Sequence, residues 1–132
     1  MARRSEAAAS RSVRFRPWVK DAVERMAKRN RRGFSEVAQD LIEEALRMRL
    51  CPGIYFADEP AGRDAKVAGT GLAVWEVIRD YLAEKRDVKR LRRSLPRLGD
   101  AQVTAALRYY EAWPEEIDEL IAENAEAIPA AR

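Results

Sequence analysis

The sequence predicts a mainly helical protein in two parts: a strand and two helices that need a second copy, then a small three-helix domain with a C-terminal helix. Three observations lead there. Residues 12 to 16, SVRFR, alternate polar and apolar; the stretch from Pro17 to Leu50 spaces its apolar residues as two helices do; and helical spacing returns from Leu72 after an interval rich in glycine and proline.

The alternation places Val13 and Phe15 on one face of a strand and Ser12, Arg14 and Arg16 on the other. One short strand lacks ladder partners and covers little apolar area, so it requires a second copy. Pro17 ends the strand and suits the first turn of a helix, along which Trp18, Val19, Ala22, Val23 and Met26 recur at helical spacing. Gly33 breaks that helix. A second helix carries Phe34, Val37, Ala38, Leu41, Ile42, Ala45 and Leu46 on one face and stops before Cys51-Pro52-Gly53.

Residues 12 to 50 in this order resemble the ribbon-helix-helix family of dimeric bacterial repressors and antitoxins. The resemblance implies that two strands from two protomers pair antiparallel and enter the DNA major groove at a palindromic operator. By position it assigns base contacts to Ser12, Arg14 and Arg16, and a dimer core to Val13, Phe15, Val37, Leu41 and Ile42. It also implies a phosphate anchor on the backbone N–H groups of Gly33, Phe34 and Ser35, an arrangement that helix-terminus physics favours. Gly33 stands where the family has a serine cap, so side-chain capping is lost there, although glycine is a tolerable N-cap.

Composition bounds the remaining possibilities. The chain of 132 residues suits one domain or two very small ones, and its formal charge is +3. The charge is unevenly spread: residues 1–50 carry +6, residues 51–110 +3 and residues 111–132 −6. Such asymmetry points to a nucleic-acid face and a separate acidic segment. Cys51 is the only cysteine, which excludes an intrachain disulfide and fits a reducing, cytoplasmic setting. No apolar run is long enough to span a bilayer, and MARRSEAAAS lacks the apolar stretch of a secretory signal. An enzyme is not expected. The chain has no histidine to act as a base or metal ligand, one cysteine cannot make a zinc cluster, and neither metal nor cofactor is called for. Asp58, Glu59 and Asp64 form a carboxylate group in a polar loop, where solvation is the ordinary state, and Gly69-Thr70-Gly71 lacks the spacing and lysine of a phosphate-cradling loop.

Residues 1–10 read as a flexible basic arm, with Arg3 and Arg4 able to reach phosphates, and residues 11–51 as the DNA-binding and dimerisation module. Residues 52–112 read as the small helical domain. Within it, Ile54-Tyr55-Phe56 and Lys66-Val67 form short strands of a small hairpin around an irregular stretch. Val74, Val77, Ile78, Tyr81 and Leu82 mark a helix; Asp87 caps a second with Val88 and Leu91; Asp100 caps a third with Val103, Ala106, Leu107 and Tyr110. Residues 113–132 read as an acidic amphipathic tail, whose Glu115, Glu116, Asp118 and Glu119 favour a helix start.

From Ile54 to Tyr110, the landmarks Gly69-Thr70, Val74, Leu95-Pro96-Arg97-Leu98 and Ala105-Ala106-Leu107-Arg108-Tyr109-Tyr110 resemble the homeodomain-like family catalogued as domain of unknown function 433, often found in antitoxins. That family follows its glycine-threonine turn with an arginine, whereas this chain has Gly71. Together the two resemblances imply a VapB-like antitoxin of a type II toxin–antitoxin system: a homodimer, or a tetramer, that neutralises a cognate toxin, a PIN-like ribonuclease, and represses its own operon. A stand-alone repressor or partition regulator without a toxin is the alternative.

Two basic clusters and the tail each have two readings. Lys28, Arg31 and Arg32 complement the negative end of the first helix and also adjoin the expected phosphate anchor. Lys85 to Arg97 is a denser run, suited to DNA, to an acidic partner or to the acidic tail. Trp113, Ile117, Leu120 and Ile121 either pack on their own domain or bind the toxin.

Overall fold

The computed structural model describes residues 8–127. Among them the elements run α1 (Pro17–Asn30), α2 (Phe34–Leu50), β1 (Ile54–Glu59), β2 (Gly62–Val67), α3 (Val74–Ala83), α4 (Val88–Ser94), α5 (Asp100–Ala112) and α6 (Pro114–Ala127). The chain divides between Leu50 and Cys51 into two compact units.

The first element is a helix, which corrects the expected fold class. Residues 12–16 form no strand, so the strand-helix-helix order of a ribbon-helix-helix module is absent. The reason is that a ladder needs a second backbone, and the chain offers none to this segment. The alternation still leaves a mark: Arg16 is extended (φ −59°, ψ 143°), and Phe15 turns inward to pack edge-on against Phe34, 5.6 Å between centroids. Arg3 and Arg4 lie outside the described residues.

Pro17 begins α1 as its missing N–H and fixed φ favour. The helix ends at Asn30, where Arg31 takes the left-handed conformation (φ 55°) and the Arg32 N–H returns to the Ala27 carbonyl at 2.9 Å. In this unit the core is small: Val23, Ala27, Val37 and Ala38 are buried, with Val19, Met26, Phe34 and Leu41 packed around them. Trp18, expected on the inner face of α1, is 69% exposed.

The second unit opens with a hairpin longer than expected, all six residues of β1 pairing antiparallel with β2 from Ile54↔Val67 to Glu59↔Gly62. At its polar far end Arg63 bonds the facing Asp58 at 3.2 Å, and Lys66, which faces Tyr55, reaches along the hairpin to Glu59. Thr70 then clips the following turn, its Oγ1 donating to the Val67 carbonyl and accepting from the Leu72 N–H. Helix starts recur in one form. The N–H groups of Gly33, Ala73 and Gly99 each donate to the side chain three residues on, Glu36, Glu76 and Gln102. Asp87 caps α4 as expected by accepting from the Arg90 N–H, whereas Asp100 lies inside α5 and Gly99 takes the N-cap position.

Val67, Val74, Val77, Ile78, Leu91, Leu98, Ala106 and Tyr109 fill this core. Ile117 of α6 is 1% exposed among them, with Leu120 and Ile121 packed alongside. The residues expected as a small three-helix domain and, as far as 127, those expected as a separate tail therefore form one unit of a hairpin and four helices; residues 128–132 of the expected tail lie outside the described residues. A helix as short as α6 is marginal in water until its apolar stripe docks, and the unit supplies that surface.

Candidate nucleic-acid interface

Ser12, Arg14 and Arg16, the expected base-contacting residues, lie exposed on the non-helical segment before α1, which is extended at Arg16. Neither arginine has a carboxylate partner among the described residues. Phe15 between them is anchored on Phe34, so the two guanidinium groups are carried on a backbone tethered at its midpoint.

The expected phosphate contacts divide. Lys28 and Arg31 are exposed and have no carboxylate partner among the described residues. Arg32 is engaged: its guanidinium donates to Asp40 at 2.6 Å and to Glu36 at 3.4 Å. The hydrogen bond to Asp40 also holds its pKa above the ordinary arginine value. Gly33 is engaged as well, its N–H donating to Glu36 Oε1 at 3.2 Å. A phosphate at this helix start would meet the Glu36 carboxylate, so only the Phe34 and Ser35 N–H groups remain for it. The spacing Gly33-x-x-Glu36, a capping-box pattern with glycine in the serine position, was the sequence signal for this occupancy.

The expected dimer core divides too. Val37 is buried within its own unit and Leu41 and Phe15 are half-buried there, but Val13 is 63% and Ile42 54% exposed. Leu46 (55%) and Leu50 (64%) continue from Ile42 at four-residue steps, one uncovered apolar stripe along α2. Ser12, Val13, Phe15, Phe34, Ala38 and Ile42 line an open cleft of about 710 Å³ between the extended segment and α2.

Of the expected toxin-binding residues, Trp113 packs tilted on Tyr109 with 4.8 Å between centroids, Ile117 lies in the core of the second unit, and Leu120 and Ile121 pack half-buried against it. What α6 leaves outside is acidic: Glu115, Glu119 and Glu123 are exposed. Glu116 and Asp118 accept from the hydroxyls of Tyr109 (3.0 Å) and Tyr110 (2.8 Å). The carboxylates expected in a loop lie instead on β1 (Asp58, Glu59) and β2 (Asp64), and each has a protein partner. Asp58 pairs with Arg63, Glu59 with Lys66, and Asp64 accepts from Trp75 Nε1 at 3.3 Å. Burial raises the Asp64 carboxyl above its ordinary value, with Glu59 and Glu76 adding repulsion. Among the described residues no cluster of histidine, cysteine and carboxylate side chains is placed to hold a metal, and no helix is long and apolar enough to cross a membrane.

Comparison with protein-family models, curated proteins and solved structures yields no match.

Proposed function

We propose that this protein is a homodimeric DNA-binding repressor that acts as the antitoxin of a type II toxin–antitoxin pair. The observation that carries this reading is the union, in residues 8–50, of free cations on an extended segment with an uncovered apolar stripe on α2. Two helices around four small buried apolar side chains gain too little from burial to offset the entropy of ordering the chain. A second copy supplies the missing area by covering Ile42, Leu46 and Leu50.

Two extended segments then present two sets of Arg14 and Arg16 to a palindromic operator. Arginine matches the paired acceptors of guanine, and Lys28 and Arg31 supply phosphate contacts that position the dimer without reading sequence. The expected Arg32 and Gly33 contacts drop out of this reading because Asp40 and Glu36 hold them. The cytoplasm is the working compartment, where buried Cys51 stays a thiol.

The toxin, of PIN-like ribonuclease chemistry, meets the acidic outer face of α6 through Glu115, Glu119 and Glu123. A ribonuclease offers a basic RNA-binding surface, to which that face is complementary. A stand-alone repressor is the second reading, favoured by the docking of Ile117, which commits the apolar stripe of α6 to its own unit.

Co-expression with the neighbouring reading frame, followed by gel-shift on the operon's own promoter, tests both. An antitoxin co-purifies with the neighbour's product and loses it on Glu115→Lys combined with Glu119→Lys. A stand-alone repressor shifts the promoter and brings nothing with it. A chain that does not shift the promoter at low salt is not a repressor at all.

A further inference from the structure

The region from Glu84 to Asp100 carries seven cations against three carboxylates. Two of the cations are structural. Arg92 is held by the Leu98 carbonyl (3.2 Å) and Asp100, and Arg86 lies over the Tyr81 ring, 6.0 Å from its centroid. The carboxylates are occupied too: Glu84 accepts from Ser94 Oγ, Asp87 from the Arg90 N–H, and Asp100 from Arg92. Lys85, Lys89, Arg90, Arg93 and Arg97 are all exposed and, among the described residues, have no carboxylate partner.

The described carboxylates of α6 do not neutralise them. Glu116 and Asp118 accept from Tyr109 and Tyr110, and Glu115, Glu119 and Glu123 pair with none of the five. Helix geometry sets their direction. Leu91 is fully buried, so Lys89 and Arg93, two positions to either side, point away from the core with Arg90 on their flank. Lys85 sits in the left-handed conformation (φ 56°), which glycine adopts without steric cost, yet the position carries a cation.

We propose that Lys85, Lys89, Arg90, Arg93 and Arg97 form a binding surface for the phosphate backbone of nucleic acid, carried by the second unit and separate from the cations of the N-terminal segment. A backbone fits better than an acidic protein because the surface lacks the large apolar or aromatic anchor that protein interfaces concentrate at their centre. The exposed arc of α4 offers only Val88, at 38%. Sequence is not read here; the surface adds affinity and salt dependence, and as a second attachment point it raises the effective concentration of the first. The assignment does not depend on the repressor reading, since its residues lie in the other unit.

The test is fluorescence anisotropy on the full chain across a salt series, with a labelled duplex DNA of arbitrary sequence, a single-stranded RNA and polyglutamate as probes. Lys89→Gln, Arg90→Gln, Arg93→Gln and Arg97→Gln combined should flatten the slope of log affinity against log salt on duplex by about 0.9 per lost phosphate contact, up to about 3.6. The same residues changed to lysine, where not lysine already, should restore it. A thermal melt shows that the variant is folded, as expected for side chains without partners. Flattening on both nucleic acids assigns the shared backbone, and flattening on one assigns that source. An unchanged slope on both, or loss of polyglutamate binding alone, overturns the proposal. Lys28→Gln with Arg31→Gln, the phosphate-contacting pair of the repressor reading, run in parallel, separates the two surfaces: flattening there and none with the second-unit glutamine variant keeps the repressor and rejects this site, and the reverse keeps this site and rejects the repressor.

Discussion

Phe15 meets Phe34 edge to face, with 74° between the ring planes, and so ties the extended segment to the first residue of α2. An aromatic pair of this geometry contributes about 1 kcal/mol beyond its buried area. Phe15→Ala should therefore cost on the order of 1–2 kcal/mol in chemical denaturation. It should also speed tryptic cleavage after Arg11 and Arg14, the bond after Arg16 being closed to trypsin by Pro17. Cleavage at the wild-type rate would mean that the tether does not hold the segment.

The roles of Arg14 and Lys28 separate by specificity. Arg14→Ala should weaken operator binding by about 1–3 kcal/mol and relax sequence preference. Lys28→Ala should weaken all sequences alike and flatten the salt slope by about 0.9. Competition titrations with operator and scrambled duplexes check this; two variants with the same profile would contradict the division.

The docking of α6 makes Ile117 structural. Ile117→Ala should cost about 2–5 kcal/mol, as for other large-to-small changes at fully buried sites. Glu119→Lys, on the outer face of the same helix, should alter stability by less than about 0.5 kcal/mol. Urea melts of the two variants give the comparison, and equal losses would mean that α6 is not seated as described.

Asp64 links the second unit to pH. Its carboxyl is raised chiefly by burial, while in the unfolded chain it titrates at its ordinary 3.8. Stability tied to the protonated form is thus complete below 3.8 and is lost as pH rises through the higher folded value. Asp64→Asn, which keeps an acceptor for Trp75 Nε1, should match the wild type at the acid end of that window and gain on it as pH rises. Parallel melts that stay level across the window would contradict the raised value.

Where local chemistry decides, the sequence was informative. Pro17 and Asp87 mark the starts of α1 and α4, and the periodicity of Val74, Val77 and Ile78 marks the buried face of α3. Where a partner or a long-range contact decides, it was not. The alternation of residues 12–16 specifies an extended backbone, but a ladder belongs to two backbones, so the strand did not follow. The polar half of the hairpin carries no apolar pattern and is paired through charges facing across strands, Asp58 with Arg63. Tyr109 rather than Tyr110 fills the core, where its ring packs against Phe56 and Trp113; helical spacing alone does not choose between the two tyrosines. In the candidate site, the exposure of Arg14 and Arg16 was readable from their alternation with Val13 and Phe15. The capture of Arg32 by Asp40, eight residues away across the start of α2, was not.

The stripe of Ile42, Leu46 and Leu50 is the feature on which the DNA-binding reading turns, because a two-helix unit with only four buried apolar side chains needs that area covered. Covering one leucine fully contributes about 1.5–3 kcal/mol, and a two-fold interface contains each residue twice. The deciding measurement is the solution mass by light scattering of the wild type and of Leu46→Asp. The account predicts twice 15.0 kDa for the wild type and a substantial shift toward the single-chain mass for the variant. A folded wild type that stays at 15.0 kDa throughout would contradict it.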